Sequence, residues 1–173
     1  LSGTKDKTGL QNWENRVGKD EAKRIRNEAA AVGTSMHITL ECYVEEKKRE
    51  YDFSPVHSQA NQMADIIIKE GLQYVSEVWG SEVSLYYPEL YAGTTDLVGV
   101  YKGEPAIMDF KQARRLKKKE WVEDYYLQLV AYAEAHNKQY DTQIKNGRIF
   151  ICTQANEYQT FDIENYDQWV GKW

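Results

Sequence analysis

The chain has 173 residues, of which 42% are hydrophobic, and a formal net charge of −5 at pH 7. This length and composition are typical of one globular domain and exclude a disordered chain. No run of about 18 apolar residues is present, which excludes a membrane-spanning helix, so no membrane partner is expected. The negative charge excludes a protein that coats nucleic acid by charge alone, but not an enzyme whose bound metal reverses the local sign.

The first third of the chain is predicted to be helical. Apolar residues at helical spacing run over residues 20–32, and we expect this helix to end at Gly33. Thr34 is expected to cap a second helix. A third helix is predicted to begin at Ser54-Pro55, with serine as the cap and proline in the first turn.

Strand-forming residues dominate the middle of the chain. Residues 83–87, 91–101 and 104–110 are rich in β-branched and aromatic side chains, which predicts three strands. Turns are predicted at Pro88-Glu89 and Lys102-Gly103. These three strands should therefore form an antiparallel meander.

A long helix is predicted over residues 118–137, with Trp121 and Tyr125 on its apolar face. Strands over residues 147–153 and 158–163 and a short tryptophan-bearing helix complete the chain. This order of elements predicts an α/β fold, a mixed β-sheet flanked by helices.

The two cysteines, Cys42 and Cys152, are far apart in sequence. Because zinc or iron–sulfur sites held by cysteines need about four ligands, no iron–sulfur cluster is expected. An isolated pair in a chain without a secretion signal indicates reduced thiols and a cytoplasmic protein. The length predicts one domain over residues 1–173. Because the chain opens on Leu1 rather than Met, we expect its N-terminus to be incomplete.

Two neighbouring predicted strands carry the residues that indicate chemistry. Asp96 lies within one strand and Asp109 near the end of the next. Because adjacent strands lie about 4.8 Å apart, two carboxylates on one face can converge on a cation such as Mg²⁺. Lys111 shares a face with Asp109. Phosphodiester hydrolysis needs such a combination of metal and cation. The alternative is a solvated Asp-x-Lys, but the apolar Ile107-Met108 places Asp109 in a buried strand, where an unpaired charge is costly.

Two predicted helices add further candidates. His37 is a possible third ligand, and imidazole suits Mn²⁺; the alternative is a structural histidine. Glu41 shares the helical face of His37 and is a candidate to orient its ring. Gln128 and Tyr132 are four residues apart and are candidates to hold a phosphate or the lysine, although Tyr132 could instead be a core residue.

Four motifs in chain order resemble the RecB-like branch of the PD-(D/E)XK nucleases. They are Gly33-Thr34-Ser35-Met36-His37, Gly93-Thr94-Thr95-Asp96, Asp109-Phe110-Lys111 and Gln128-Leu129-Val130-Ala131-Tyr132. The likeness is greatest to phage exonucleases similar to the mitochondrial genome-maintenance exonuclease, and it covers residues 13–135. Each motif alone is weak, but four with sensible spacing are a specific signal.

The resemblance implies a restriction-endonuclease-like fold with one or two Mg²⁺ or Mn²⁺ ions. The metal ligands that it implies are His37, Asp96, Asp109 and the Phe110 carbonyl. It assigns Lys111 to the nucleophilic water, and Gln128 and Tyr132 to support of the substrate and site. Glu82 matches an acidic position in some relatives. Members of this branch with an iron–sulfur cluster carry four cysteines, so we exclude the cluster-bearing CRISPR-associated nucleases.

A basic segment directly follows the Asp-x-Lys strand and is predicted to bind the phosphate backbone. Its cations are Arg114, Arg115, Lys117, Lys118 and Lys119. The alternative is a solvated loop and helix start. Aromatic residues can also stack on unpaired bases, but most of the thirteen tyrosines are expected in the core.

Together these features predict a Mg²⁺- or Mn²⁺-dependent exonuclease that acts on single-stranded DNA and leaves 5′-phosphates. The resemblance favours a role in phage DNA processing, repair or recombination in the cytoplasm of an infected cell. The alternatives are a structure-specific endonuclease on the same fold and a catalytically silent DNA-binding module. No protein partner is indicated.

Overall fold

A five-stranded β-sheet flanked by helices forms the described part of the chain, residues 7–50 and 52–173 of this computed structural model. The elements are α1 (Lys7–Val17), α2 (Lys19–Val44), α3 (Pro55–Glu70), β1 (Val75–Tyr87), β2 (Tyr91–Tyr101), β3 (Glu104–Ala113), α4 (Glu123–Tyr140), β4 (Asn146–Thr153), β5 (Tyr158–Asp162) and α5 (Tyr166–Lys172). The predicted mixed α/β fold is confirmed. Leu1, on which the incomplete N-terminus was predicted, lies outside the described residues.

The strands follow one another across the sheet in chain order, β1-β2-β3-β4-β5. Neighbours are antiparallel except for β3 and β4, which are parallel and are joined by α4. The predicted meander of β1, β2 and β3 is confirmed, but β1 begins at Val75 rather than at residue 83. Within the described ranges, no helix has the length and apolar character needed to cross a membrane.

The predicted helix end at Gly33 is wrong, because α2 is one continuous helix through this residue. A Cβ atom built at Gly33 would lie 2.7 Å from Nε2 of Gln112, in β3. The glycine therefore allows α2 to pack closely on the sheet, and no cap is needed at Thr34. The predicted start of α3 is confirmed, since Ser54 accepts a hydrogen bond from the His57 backbone N–H.

Helices cover both faces of the sheet, and adjacent residues of one strand reach opposite sides. In β3, Met108 joins the core formed with α2 and α3, whereas Ile107 joins the core formed with α4. Phe150 and Ile149 divide in the same way in β4. This double covering fixes the central strands, so that side chains from α2 and α4 can meet near the end of β3.

The sheet divides where β2 and β3 separate. Their pairing ends at Leu97↔Met108, whereas β1–β2 pairing continues to Tyr87↔Tyr91 and β3–β4 pairing to Ala113↔Thr153. Five or six residues of each strand extend past the last β2–β3 pair, a length of roughly 17–20 Å. We call this opening the fork, with β1–β2 as one arm and β3–β4–β5 as the other.

Candidate metal centre

Asp96 and Asp109 are the first residues past the last β2–β3 pair, one on each arm of the fork. Oδ2 of Asp96 accepts the Phe110 backbone N–H at 2.7 Å. The carboxylate thus replaces a ladder hydrogen bond that the separating strands no longer supply. Oδ1 of Asp96 lies 3.4 Å from Nδ1 of His37, in α2.

Burial opposes ionisation of Asp96, but hydrogen bonds with His37 and Asp109 outweigh it and lower the pKa of Asp96. For His37, burial acts to lower the pKa, yet the hydrogen bond and negative charge of Asp96 raise it overall. The two groups therefore stabilise each other as an ion pair, with further help from the charge of Asp109. A divalent cation would replace the proton on the imidazole as the partner of these carboxylates.

Asp109 lies deeper than Asp96, and the residue is only 3% exposed. It forms an ion pair with Lys111. Burial, followed by the negative charge of Asp96, raises the pKa of Asp109 to about 7. Two carboxylates placed this close favour the binding of either a proton or a cation between them.

Lys111 is held by α4. Its Nζ donates to Oε1 of Gln128 at 3.2 Å, and Nε2 of Gln128 donates to the Tyr132 hydroxyl at 3.2 Å. The structure thus brings these three predicted residues together. Gly93 makes room for the tyrosine, because a Cβ atom there would lie 2.9 Å from the Tyr132 ring. Although burial opposes it, the charge of Asp109 raises the pKa of Lys111, so the ammonium is charged at neutral pH.

Glu82, His37 and Asp96 each bring a ligand atom within 4.8 Å of the others. Glu82 lies opposite Asp96, between the register pairs Ser81↔Leu97 and Val83↔Thr95. Its φ of 48° is unusual for a residue with a side chain and marks a locally strained backbone. Partial burial, followed by the charge of Asp96, raises the pKa of Glu82.

The donors at this centre are carboxylates and an imidazole, a combination that suits Mn²⁺ and is compatible with Mg²⁺. The carbonyl of Phe110 is a further candidate, because the N–H and C=O of one strand residue face the same neighbouring strand. The expectation for Glu41 is not met. Within the described residues it makes no hydrogen bond to His37, and its charge acts on Glu82 instead.

Tyr125 was not among the predicted site residues. Its half-buried ring lies 5.3 Å from Nζ of Lys111. The signal was present in the sequence, since Tyr125 precedes Gln128 by three residues and so shares its helical face.

The basic segment begins directly after Ala113, at the tip of β3, and Arg114 and Arg115 are exposed there. The Arg115 guanidinium carbon lies 5.7 Å from the centre of the Trp121 ring, and Nζ of Lys118 lies 5.3 Å from it. The placement of Trp121 on the apolar face of a helix is wrong. It ends a short 3-10 turn before α4, because the helix begins only at Glu123, and it is 47% exposed.

The other two cations of the segment lie toward β5. The backbone of Lys117 exchanges two hydrogen bonds with the Gln159 side chain, each 2.8 Å long. Lys119 forms an ion pair with Glu164 at 2.6 Å. The segment is thus divided: Arg115 and Lys118 lie near Trp121, whereas Lys117 and Lys119 contact residues on the β5 side of the sheet.

No protein-family model matches the chain, and no curated protein matches it. A crystal structure of a candidate exonuclease from Eubacterium rectale matches 82% of this chain and 61% of that one, with 14% identity and a TM-score of 0.58. The structure of SSO0001 matches 94% of this chain and 66% of that one, with 12% identity and a TM-score of 0.46, too low to establish a shared fold. The first likeness shows that the chain has a nuclease-like fold, and the chain spans 61% of the length of that protein.

Proposed function

We propose that this chain is a metal-dependent nuclease of the PD-(D/E)XK type, in the RecB-like branch. The observation that carries the proposal is the meeting of Asp96, Asp109 and Lys111 at the fork, with one carboxylate on each arm. The nuclease-like fold supports the same class of enzyme. The four motifs support the branch.

The residues of the centre fit a divalent cation, Mg²⁺ or Mn²⁺, as one or two ions. Asp109 is 3% exposed and lies beside a second carboxylate, so its pKa is raised even with Lys111 paired to it, and a divalent cation would favour the ionised form of both carboxylates. The ligands would be Asp96, Asp109, His37 and the Phe110 carbonyl, with Glu82 beside them. When bound, the ion would supply Lewis acidity and charge neutralisation for phosphodiester hydrolysis.

The Lys111 side chain supplies a second positive charge, which the protein itself holds in position. Gln128 accepts a hydrogen bond from Lys111 and is in turn held by Tyr132, so the direction of the ammonium is fixed before substrate arrives. Because its pKa is raised, Lys111 acts as a charged donor to a phosphate oxygen and to the attacking water. A donor placed in advance where negative charge develops is an effective form of catalysis.

We extend the proposal to an exonuclease that acts on single-stranded DNA and leaves 5′-phosphates. The resemblance of the four motifs supports this activity, a role in phage DNA processing, repair or recombination, and action in the cytoplasm of an infected cell. A single domain over residues 1–173 is part of the same proposal.

The test is digestion of end-labelled linear single-stranded DNA in Mg²⁺, Mn²⁺ or EDTA, beside a circular single strand. We expect metal-dependent loss of the linear strand, an intact circle and no cleavage by Asp109→Asn. Cleavage of the circle would replace the exonuclease by an endonuclease on this fold. Cleavage of neither substrate, or full activity of Asp109→Asn, would refute the nuclease proposal and favour a DNA-binding module.

A further inference from the structure

Trp121 follows the basic segment in the chain and belongs to neither hydrophobic cluster of the described residues. The residue is 47% exposed. One exposed aromatic residue needs no explanation by itself. Here, however, two cations from the segment before it, Arg115 and Lys118, lie over the ring at 5.7 and 5.3 Å from its centre. An exposed indole with two flexible cations over it is suited to a ligand that is both aromatic and anionic, provided that the ligand's base displaces these side chains from the ring to its own phosphates.

This surface is continuous in sequence with the groups that hold Lys111. Trp121 ends the 3-10 turn that leads into α4, and Tyr125 follows in the first turns of that helix. The centre of the Tyr125 ring lies 5.3 Å from Nζ of Lys111. Gln128, three residues later, accepts a hydrogen bond from the same Nζ atom. Exposed Trp121 therefore lies four residues before Tyr125, the aromatic residue at the start of α4 that contacts Lys111.

We propose that Trp121 is a stacking platform for an unpaired base of single-stranded DNA, and that Arg115 and Lys118 contact the phosphates beside that base. The proposal rests on the proposed function and adds a residue that holds its single-stranded substrate. A base can stack on an indole only if one face of the base is open. Bases of a single strand meet this condition, and bases inside a duplex do not. The two cations neutralise phosphate charge without reading the sequence.

Trp79 provides a matched control. It is exposed to nearly the same extent, 44%, but lies on β1, where its ring stacks on His136. Its indole N–H donates to Glu77 at 3.0 Å, so that an acidic side chain lies beside it. Loss of Trp79 should therefore have no effect on binding to an anionic strand.

The experiment measures the binding of a fluorescein-labelled oligothymidylate by anisotropy, in EDTA so that the strand is not cut. We expect Trp121→Ala to weaken binding by about 5- to 150-fold, the range typical of a lost stacking contact. Trp121→Phe should retain most of the affinity, and Trp79→Ala should bind like the wild type. Circular dichroism would establish that each variant is folded.

A duplex of the same length shows whether the contact depends on an open base. Equal losses on duplex and single strand, or equal affinities of Trp121→Ala and Trp79→Ala, would overturn the proposal. The digestion test is independent of this outcome. A wild type that cuts DNA while Trp121→Ala binds normally would refute only the platform, and a wild type that does not cut while Trp121→Ala loses affinity would refute only the nuclease.

Discussion

The Asp96 carboxylate accepts the backbone N–H of Phe110 at 2.7 Å, across the first gap in the pairing of β2 and β3. One oxygen of this side chain therefore serves the sheet, and the other faces His37. The same residue has a structural role and a chemical role, and substitutions can separate them.

Asp96→Asn keeps an oxygen for the Phe110 N–H but removes the negative charge, whereas Asp96→Ala removes both. We expect both variants to lose Mn²⁺ affinity. Asp96→Ala should also unfold more easily than Asp96→Asn, by about 1–3 kcal/mol, because it leaves a backbone donor without a partner. Urea unfolding and calorimetric Mn²⁺ titration measure the two effects. Equal stability of the two variants would contradict the structural role.

The pKa of Asp109, raised to about 7 by burial and then by Asp96, predicts how metal binding depends on pH. Below pH 7 this carboxyl group holds a proton that a cation must displace, so Mn²⁺ affinity should rise as the pH increases through 7 and then level off. The raised pKa of His37 acts in the same direction. Calorimetry between pH 6 and 8, roughly one unit either side of the midpoint, would detect the trend. An affinity that is independent of pH would contradict it.

The same shift predicts the stability of the metal-free protein. The folded state holds the Asp109 proton up to a pH of about 7, whereas the unfolded chain releases it near the ordinary value of 3.8. The stabilisation from this group is therefore fully present below pH 3.8, decreases as the pH rises from there, and is lost once the pH has passed about 7. Thermal unfolding in EDTA, with Asp109→Asn as the control that lacks this titration, would show it.

Lys111→Met separates catalysis from metal binding. We expect DNA cleavage to fall by about 10²–10³-fold, the effect of losing one positioned donor. Mn²⁺ affinity should not fall, because the substitution removes a positive charge that competes with the cation for Asp109. Single-turnover cleavage and Mn²⁺ titration provide the two measurements. A loss of metal affinity equal to that of Asp109→Asn would show that Lys111 is needed only for the architecture of the site.

The division of the basic segment predicts different salt dependence for neighbouring lysines. Lys118 lies beside an exposed ring, whereas Lys119 is paired with Glu164. Lys118→Ala should reduce the slope of log affinity against log salt by roughly 0.7 for single-stranded DNA. Lys119→Ala should leave the slope unchanged. Anisotropy titrations at several salt concentrations would measure both, and identical slopes would refute the division.

Much of the fold follows from local patterns, and the errors have tertiary causes. The bounds of β2 were predicted at both ends, because turn residues flank a run of strand formers. The helix end predicted at Gly33 is wrong because this glycine lies inside α2, where it packs against the Gln112 side chain instead of ending the helix. The first part of β1 was missed because Gly80 and the polar residues around it lack the alternation of a half-buried strand.

The site was predictable where spacing along one strand or helix determines which side chains share a face. Asp109 with Lys111, and Gln128 with Tyr132, are such pairs. The separation of β2 from β3 was not predictable, because register between strands depends on packing across the whole sheet. The position of Trp121 depends on where α4 begins, and helix boundaries are the least certain part of any pattern.

The fork has a mechanical consequence. Past Leu97↔Met108 the two arms share no ladder pairs within the described residues, although each arm is firmly paired internally. Asp96 and Asp109 lie on opposite arms of the fork. A cation held by both would join the two arms at this point, in addition to the hydrogen bonds that Asp96 makes with the Phe110 N–H and with Asp109. Among variants of this site, those that bind the metal more tightly should therefore exchange the amide hydrogens of the two arms more slowly.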